Sequence, residues 1–268
     1  SKKKKKKKKI NKKKKIKNKK KKKKKKYQKI NYKIKKQQKW KIIEKNIKKM
    51  WLTMKIKNNL ILAMDLMDLK EAEKVCESIG SQIDTIKIGY PLTLAEGTKT
   101  IQIFKDNFNY QVICDYKVAD IPATNSKIAE QTFKAGADGI ICHGFVGPDS
   151  VKACKEKAEE YEKDVFLLTE MSHPGAKKFL QKDAYEIAKM GVEMGITNYV
   201  APATRINRLK DIREIVGKDA FIISPGVGKQ GGEAKKTLEY ASAIIVGRSI
   251  YESEDPKIAT ENMINSTK

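Results

Sequence analysis

Asp115, Lys117 and Asp120 place two carboxylates and an ammonium within six residues, directly after the apolar run Gln111-Val112-Ile113-Cys114. That run predicts a short buried strand. Side chains alternate along a strand, so residues two apart share a side and Asp115 is expected next to Lys117. A carboxylate a few ångströms away favours the charged form of a lysine. Such a lysine can donate a proton or stabilise an anion, whereas Schiff-base chemistry needs the neutral amine. Pro122 keeps Ile121 out of helical geometry, so the chain is expected to leave the strand at Asp120. An isolated Asp-x-Lys is ordinarily a weak surface ion pair. The elements around this one argue for a site at the carboxyl end of a strand.

Eight short apolar runs recur from Leu60 onward: residues 60–64, 85–88, 111–114, 139–142, 165–168, 198–201, 221–223 and 243–246. The segments between them show helical spacing, as in Leu69, Ala72, Val75, Cys76 and Ile79, or Val151, Cys154 and Ala158. Strand and helix alternating eight times predict parallel βαβ units, and the chain length fits an α/β fold of the (β/α)8 TIM barrel type. A doubly wound open sheet is the alternative. Its glycine-rich first turn is absent, because Asp65-Leu66-Met67-Asp68 follows the first run.

A barrel of this kind builds its active site from the carboxyl ends of its strands. The remaining polar motifs fall there. Asp65 ends the first run, Lys87 lies late in the second, Asp115 and Lys117 end the third, and His143 ends the fourth. Thr169-Glu170-Met171-Ser172 follows the fifth. The run Pro225-Gly226-Val227-Gly228-Lys229-Gln230-Gly231-Gly232 follows the seventh, and Gly247-Arg248-Ser249 the eighth. Glycines let backbone N–H groups approach an anion and Arg adds a bidentate donor, so these two loops predict a phosphorylated substrate. His143 and His173 are expected to pack or to bond within loops, Glu170 to scaffold its loop, and Tyr90-Pro91 to shape the turn after the second strand.

The formal charge of +27 is unevenly placed. Residues 1–57 hold 32 lysines and one acid, Glu44, while the remainder carries 27 basic and 31 acidic residues. The chain therefore divides into a low-complexity basic extension, residues 1–54, and a catalytic barrel, residues 55–268. The extension is expected to be disordered. Three origins compete for it: an arm binding nucleic acid or acidic lipid through counterion release, a solvated tail, or translation from an A-rich region upstream of a true start at Met50 or Met54. No apolar h-region follows the lysines, and no run of 18 apolar residues occurs later, so neither a signal peptide nor a membrane span is predicted. Cys76, Cys114, Cys142 and Cys154 lack metal-ligand spacing and fit a reduced, cytoplasmic setting.

From about Leu60 to the C-terminus the chain resembles the orotidine 5′-phosphate decarboxylase family in its short, archaeal-type form. The resemblance rests on Leu62-Ala63-Met64-Asp65, Lys87-Ile88-Gly89, Asp115-x-Lys117-x-x-Asp120-Ile121-Pro122-x-Thr124, Thr169-Glu170-Met171-Ser172, Ser224-Pro225-Gly226-Val227-Gly228 and Val246-Gly247-Arg248-Ser249. It implies a homodimeric barrel that needs neither metal nor organic cofactor and converts orotidine 5′-phosphate to UMP and CO2. It further implies that Lys117, kept charged by Asp115 and Asp120, stabilises and protonates the C6 carbanion. Asp115 would face the departing carboxylate, and Asp120 and Thr124 would reach the neighbouring subunit's site. Asp65 and Lys87 would bind ribose hydroxyls, Ser172 the pyrimidine, and Gln230 and Arg248 the phosphate, with residues 225–232 closing as a lid and Gly247 opening the last loop. The lysine extension has no counterpart in the family. Two rivals remain: a Mg2+-dependent sugar-phosphate decarboxylase or aldol-type synthase sharing Asp-x-Lys-x-x-Asp, and a nucleic-acid binder working through the lysine arm.

Overall fold

The computed structural model describes residues 54–268. The expected disorder of the basic extension, its candidate start sites and its candidate partners fall on residues outside those described, Met54 excepted.

Eight strands close into a parallel barrel in sequence order, with β1 hydrogen-bonded to β8. They are β1 (Leu60–Met64), β2 (Thr85–Gly89), β3 (Gln111–Val118), β4 (Gly139–His143), β5 (Asp164–Leu168), β6 (Asn198–Val200), β7 (Phe221–Pro225) and β8 (Ala243–Val246). Every run read from the sequence forms a strand, with ends shifted by a few residues. Both faces of each strand are covered, which is why the runs are continuously apolar. On β1, Leu60, Leu62 and Met64 pack outward under the helices, while Ile61 and Ala63 turn into the barrel axis. Ile113, Ile141, Phe166, Leu168, Val200, Ile223 and Ile245 fill the axis with them, and Met54 packs into the same inner cluster.

The helices cover the outside. Leu69–Ile79 buries Ala72, Val75, Cys76 and Ile79, the stripe its spacing predicts, and Asp68 caps it by accepting from the Glu71 N–H. After β3, Ile121 stays extended and Pro122 takes the first turn of the helix Pro122–Lys134. The later helices Ala176–Glu193 and Ile206–Val216 flank β6 in sequence. All four cysteines are free and buried. No helix among the described residues is long and apolar enough to cross a membrane.

The third strand departs from the sequence expectation. It runs four residues beyond Cys114, because its backbone keeps pairing after the side chains turn polar. Against β4 the register shifts: Cys114 pairs with Ile140 but Val118 with Cys142, so four steps on β3 answer two on β4. The surplus is a bulge holding Asp115, Tyr116 and Lys117, and Lys117 takes a left-handed φ of 42°. Bulges increase twist and re-aim side chains.

Candidate active site

The barrel's inward face changes character from bottom to top. Ile61 and Ala63 on β1 are followed by Asp65, and Ile113 on β3 by Asp115 and Lys117. Lys87 sits beside Ala63 and Ile113 in the strand register. An apolar floor thus ends in a row of charges at the carboxyl ends of β1, β2 and β3.

These charges alternate. The Lys87 ammonium lies 3.7 Å from Asp65 Oδ1 and 2.8 Å from Asp115 Oδ2. Asp115 Oδ1 in turn accepts from Lys117 Nζ at 2.9 Å. Asp115 and Lys87 are almost wholly buried, while Lys117 keeps about a third of its side-chain surface, 34 %. Burial works against the Asp115 charge, but Lys87 and Lys117 outweigh it and lower its pKa to about 2. Burial likewise opposes the Lys87 charge, and Asp115 and Asp65 overcome it, holding that ammonium above its ordinary pKa. Gly89 completes the arrangement, because a Cβ there would stand 2.8 Å from Asp65 Oδ1.

A cavity of about 400 Å³ opens over this row. Ile141, Leu168, Val200 and Ile245 supply its apolar floor, and Asp65, Lys87, Asp115 and Lys117 one wall. Ser172, Pro225, Gly226, Val227, Gln230, Gly247 and Arg248, from the loops after β5, β7 and β8, also line the cavity. The loop after β7 turns back on itself: Val227 bridges Gly232, and Gly226, Gly228 and Gly231 all have positive φ. Lys229 ties this loop to the one after β8, its N–H donating to Ser249 Oγ at 3.1 Å and its ammonium pairing with Glu252.

Three predicted site residues lie elsewhere among the described residues. Gly228 belongs to the β7 loop and is not among the residues that line the cavity, although a Cβ there would meet Ser249, which is. Asp120 is exposed; its Oδ1 accepts from the Ile121 N–H, and its own N–H donates to Asn125 Oδ1 at 2.9 Å. Thr124 sits in the first turn of the following helix. Within one chain, Lys117 is therefore held by Asp115 and not by Asp120. The cavity also takes Met171, His173, Lys229, Ser249 and Tyr251, which the motifs did not single out as ligands. Tyr251 carried a signal, since it lies one helical turn beyond Arg248.

His143 is buried against Phe145, with ring centroids 4.6 Å apart, and lies outside the cavity lining. Burial, aided by Lys117, pushes its pKa down to about 4 against a pull from Asp115, so the ring is neutral at pH 7. Among the described residues no group of three or more His, Cys, Asp or Glu side chains is arranged to hold a metal ion.

The fold and the site together define the class: a parallel (β/α)8 barrel enzyme whose charged row faces a cavity rimmed by glycine-rich loops. The model of the orotidine 5′-phosphate decarboxylase / HUMPS family matches residues 58–263, and the chain belongs to that family. The orotidine 5′-phosphate decarboxylase of Methanosphaera stadtmanae is 57% identical over 215 residues, covering 80% of this chain and all of that one. That of Methanocaldococcus jannaschii is 49% identical over 201 residues, covering 74% of this chain and 93% of its own. A crystal structure of the M. jannaschii enzyme complexed with the inhibitor BMP superposes with a TM-score of 0.75 at 46% identity, covering 78% of this chain and 98% of that one. The Pyrococcus horikoshii enzyme gives 0.72 at 37%, with the same coverage.

Proposed function

We propose that the chain decarboxylates orotidine 5′-phosphate to UMP and CO2, as a carboxy-lyase of pyrimidine biosynthesis. The observation that carries this is the alternating row Asp65, Lys87, Asp115, Lys117 at the edge of a cavity in a chain of this family. The relatives' names favour the nucleotide reaction over a sugar-phosphate one.

Breaking the bond between C6 and the carboxylate leaves its electron pair on C6, with little delocalisation into the ring. A cation placed there beforehand lowers the barrier without reorganising at the moment of reaction. Lys117 is that cation. Asp115 fixes its ammonium at 2.9 Å, and the bulge at Lys117 turns the side chain upward into the cavity. As CO2 leaves, Lys117 transfers a proton from Nζ to C6, giving UMP and a neutral amine that recovers its proton from solvent. Asp115 faces the departing carboxylate. Lys87, a cation held between two carboxylates, keeps that anionic wall in place and with Asp65 bonds the ribose hydroxyls.

Ser172 bonds the pyrimidine, and Gln230 and Arg248 take the phosphate, with Gly247 and the loop of residues 225–232 closing around it. Binding a remote, non-reacting group in this way stabilises the closed site. Asp120 and Thr124 act in the partner's site of a homodimer. Support comes from Asp120 being exposed in the single chain, and from Tyr90, Ile121 and Phe145, large apolar residues near the ends of β2, β3 and β4, being exposed as well. The reaction needs no cofactor, and its setting is the cytoplasm.

The test is the fall in absorbance as orotidine 5′-phosphate becomes UMP, measured with EDTA present. Turnover unaffected by EDTA is expected. Activity on a sugar phosphate with Mg2+, and none on the nucleotide, would overturn the proposal.

A further inference from the structure

Glu170 follows β5 directly, its side chain is wholly withdrawn from water, and the reaction as assigned leaves it idle. It meets two arginines. Arg205 Nε lies 2.8 Å from Glu170 Oε1, an ionic contact outside hydrogen-bond alignment, and Arg208 Nε donates to Oε2 at 2.5 Å. The two guanidiniums face different neighbours. Arg208 lies over the Tyr185 ring at 4.3 Å and donates to the Gln181 carbonyl, both in the helix Ala176–Glu193. Arg205 donates to the main-chain carbonyls of Met171 and Ser172, the latter at 3.2 Å, and Thr204 Oγ1 adds a bond to Ser172 O at 3.1 Å. The carboxylate thus joins a guanidinium anchored on a helix to one gripping the segment that presents Ser172 to the cavity.

We infer that Glu170 is a positioning residue for the reaction: through Arg205 it fixes the main chain at Met171 and Ser172, and so the aim of the Ser172 hydroxyl. This deepens the assignment above and rests on Ser172 touching the substrate. Two donors on one carbonyl leave that peptide little freedom, and a guanidinium is a rigid fork, so orientation passes from the carboxylate to the loop. A buried carboxylate between two arginines is also a structural element, and its removal leaves cations unpaired. The test must therefore separate positioning from stability.

The experiment is a double-mutant cycle in the full chain between Glu170→Gln and Ser172→Ala, read as kcat/KM for orotidine 5′-phosphate, with exchange of the Met171, Ser172, His173 and Gly175 amides followed alongside. Each single change is expected to lower kcat/KM by about 10-fold to 100-fold, and the double by little more than the larger single. The amides are expected to exchange faster in Glu170→Gln while the strands stay protected. If Glu170→Gln fails to fold, Arg208→Gln, which removes the helix-side partner, carries the same cycle. Losses that multiply, a silent Glu170→Gln, or unchanged exchange at these amides overturn the inference. The exchange result holds whatever the substrate, so a parent chain without turnover would count against the assigned reaction alone.

Discussion

Lys87 and Asp115 form an ion pair 2.8 Å long at the top of the barrel's apolar core, with under a tenth of either residue exposed. Charges are costly to bury there, and each is tolerated because the other is present. Asp115 titrates near 2 in the folded chain against an ordinary 3.8. The unfolded chain therefore takes up this proton first, and the stability it confers is present above about pH 4 and lost as pH falls towards 2. Asp115→Asn is expected to cost about 3 kcal/mol at neutral pH, and the gap to the parent to narrow by about 2 kcal/mol between pH 4 and pH 2. Denaturant unfolding across that range measures it. Parallel profiles would show that Asp115 is not the group described.

His143 sits beside this row without lining the cavity. Its folded pKa of about 4 lies below the ordinary 6.5, so the neutral ring contributes stability above about pH 6.5 that is lost as pH falls towards 4. Its ring resonances are expected to titrate near 4. His143→Gln is expected to leave the pH profile of kcat unchanged between about pH 5.5 and 8. An inflection near 6.5 that disappears in the variant would give His143 a part in the reaction.

Gly89 is a residue whose absence of a side chain is its function. A methyl there meets a carboxylate oxygen of Asp65, a side-chain tip that can swing away, so the fold survives while the carboxylate moves. Gly89→Ala is expected to shift Tm by no more than about 2 °C and to lower kcat/KM by about 10-fold. Full activity would detach Asp65 from ribose binding.

Asp120 and Lys117 are three residues apart, yet Asp120 is outside the cavity that Lys117 lines. If Asp120 serves the partner's site, Lys117→Ala and Asp120→Asn are complementary lesions. A mixed dimer places both defects in one site and none in the other, so subunit exchange between two inactive variants is expected to restore roughly a quarter of the parent activity. No recovery after demonstrated exchange would place Asp120 in its own chain's site.

Most of the scaffold was legible because a parallel barrel writes each strand as a short apolar run, and strand ends locate the site. Asp115 and Lys117 were found from a period of two, but the chain reaches that arrangement differently. Lys117 has a left-handed φ within a bulge, and no residue type in Tyr116-Lys117-Val118 announces one. The length of β3 was missed because apolar patterning stops at Cys114 while backbone pairing continues. Glu170 read as scaffolding, but its arginine partners lie more than thirty residues downstream, a pairing only the fold creates. Gly228 is expected in the phosphate loop from its glycine-rich motif, and only the fold sets the position of a Cβ there against Ser249, since loop membership does not tell which way a residue turns.

The most direct measurement is single-turnover decarboxylation of orotidine 5′-phosphate by the full chain and by Lys117→Ala, with UMP binding determined for both. The variant is expected to bind UMP within about tenfold of the parent and to lose at least about 10³-fold in rate, if Lys117 supplies both charge and proton. A variant that binds the nucleotide and turns over within about tenfold of the parent would contradict that role.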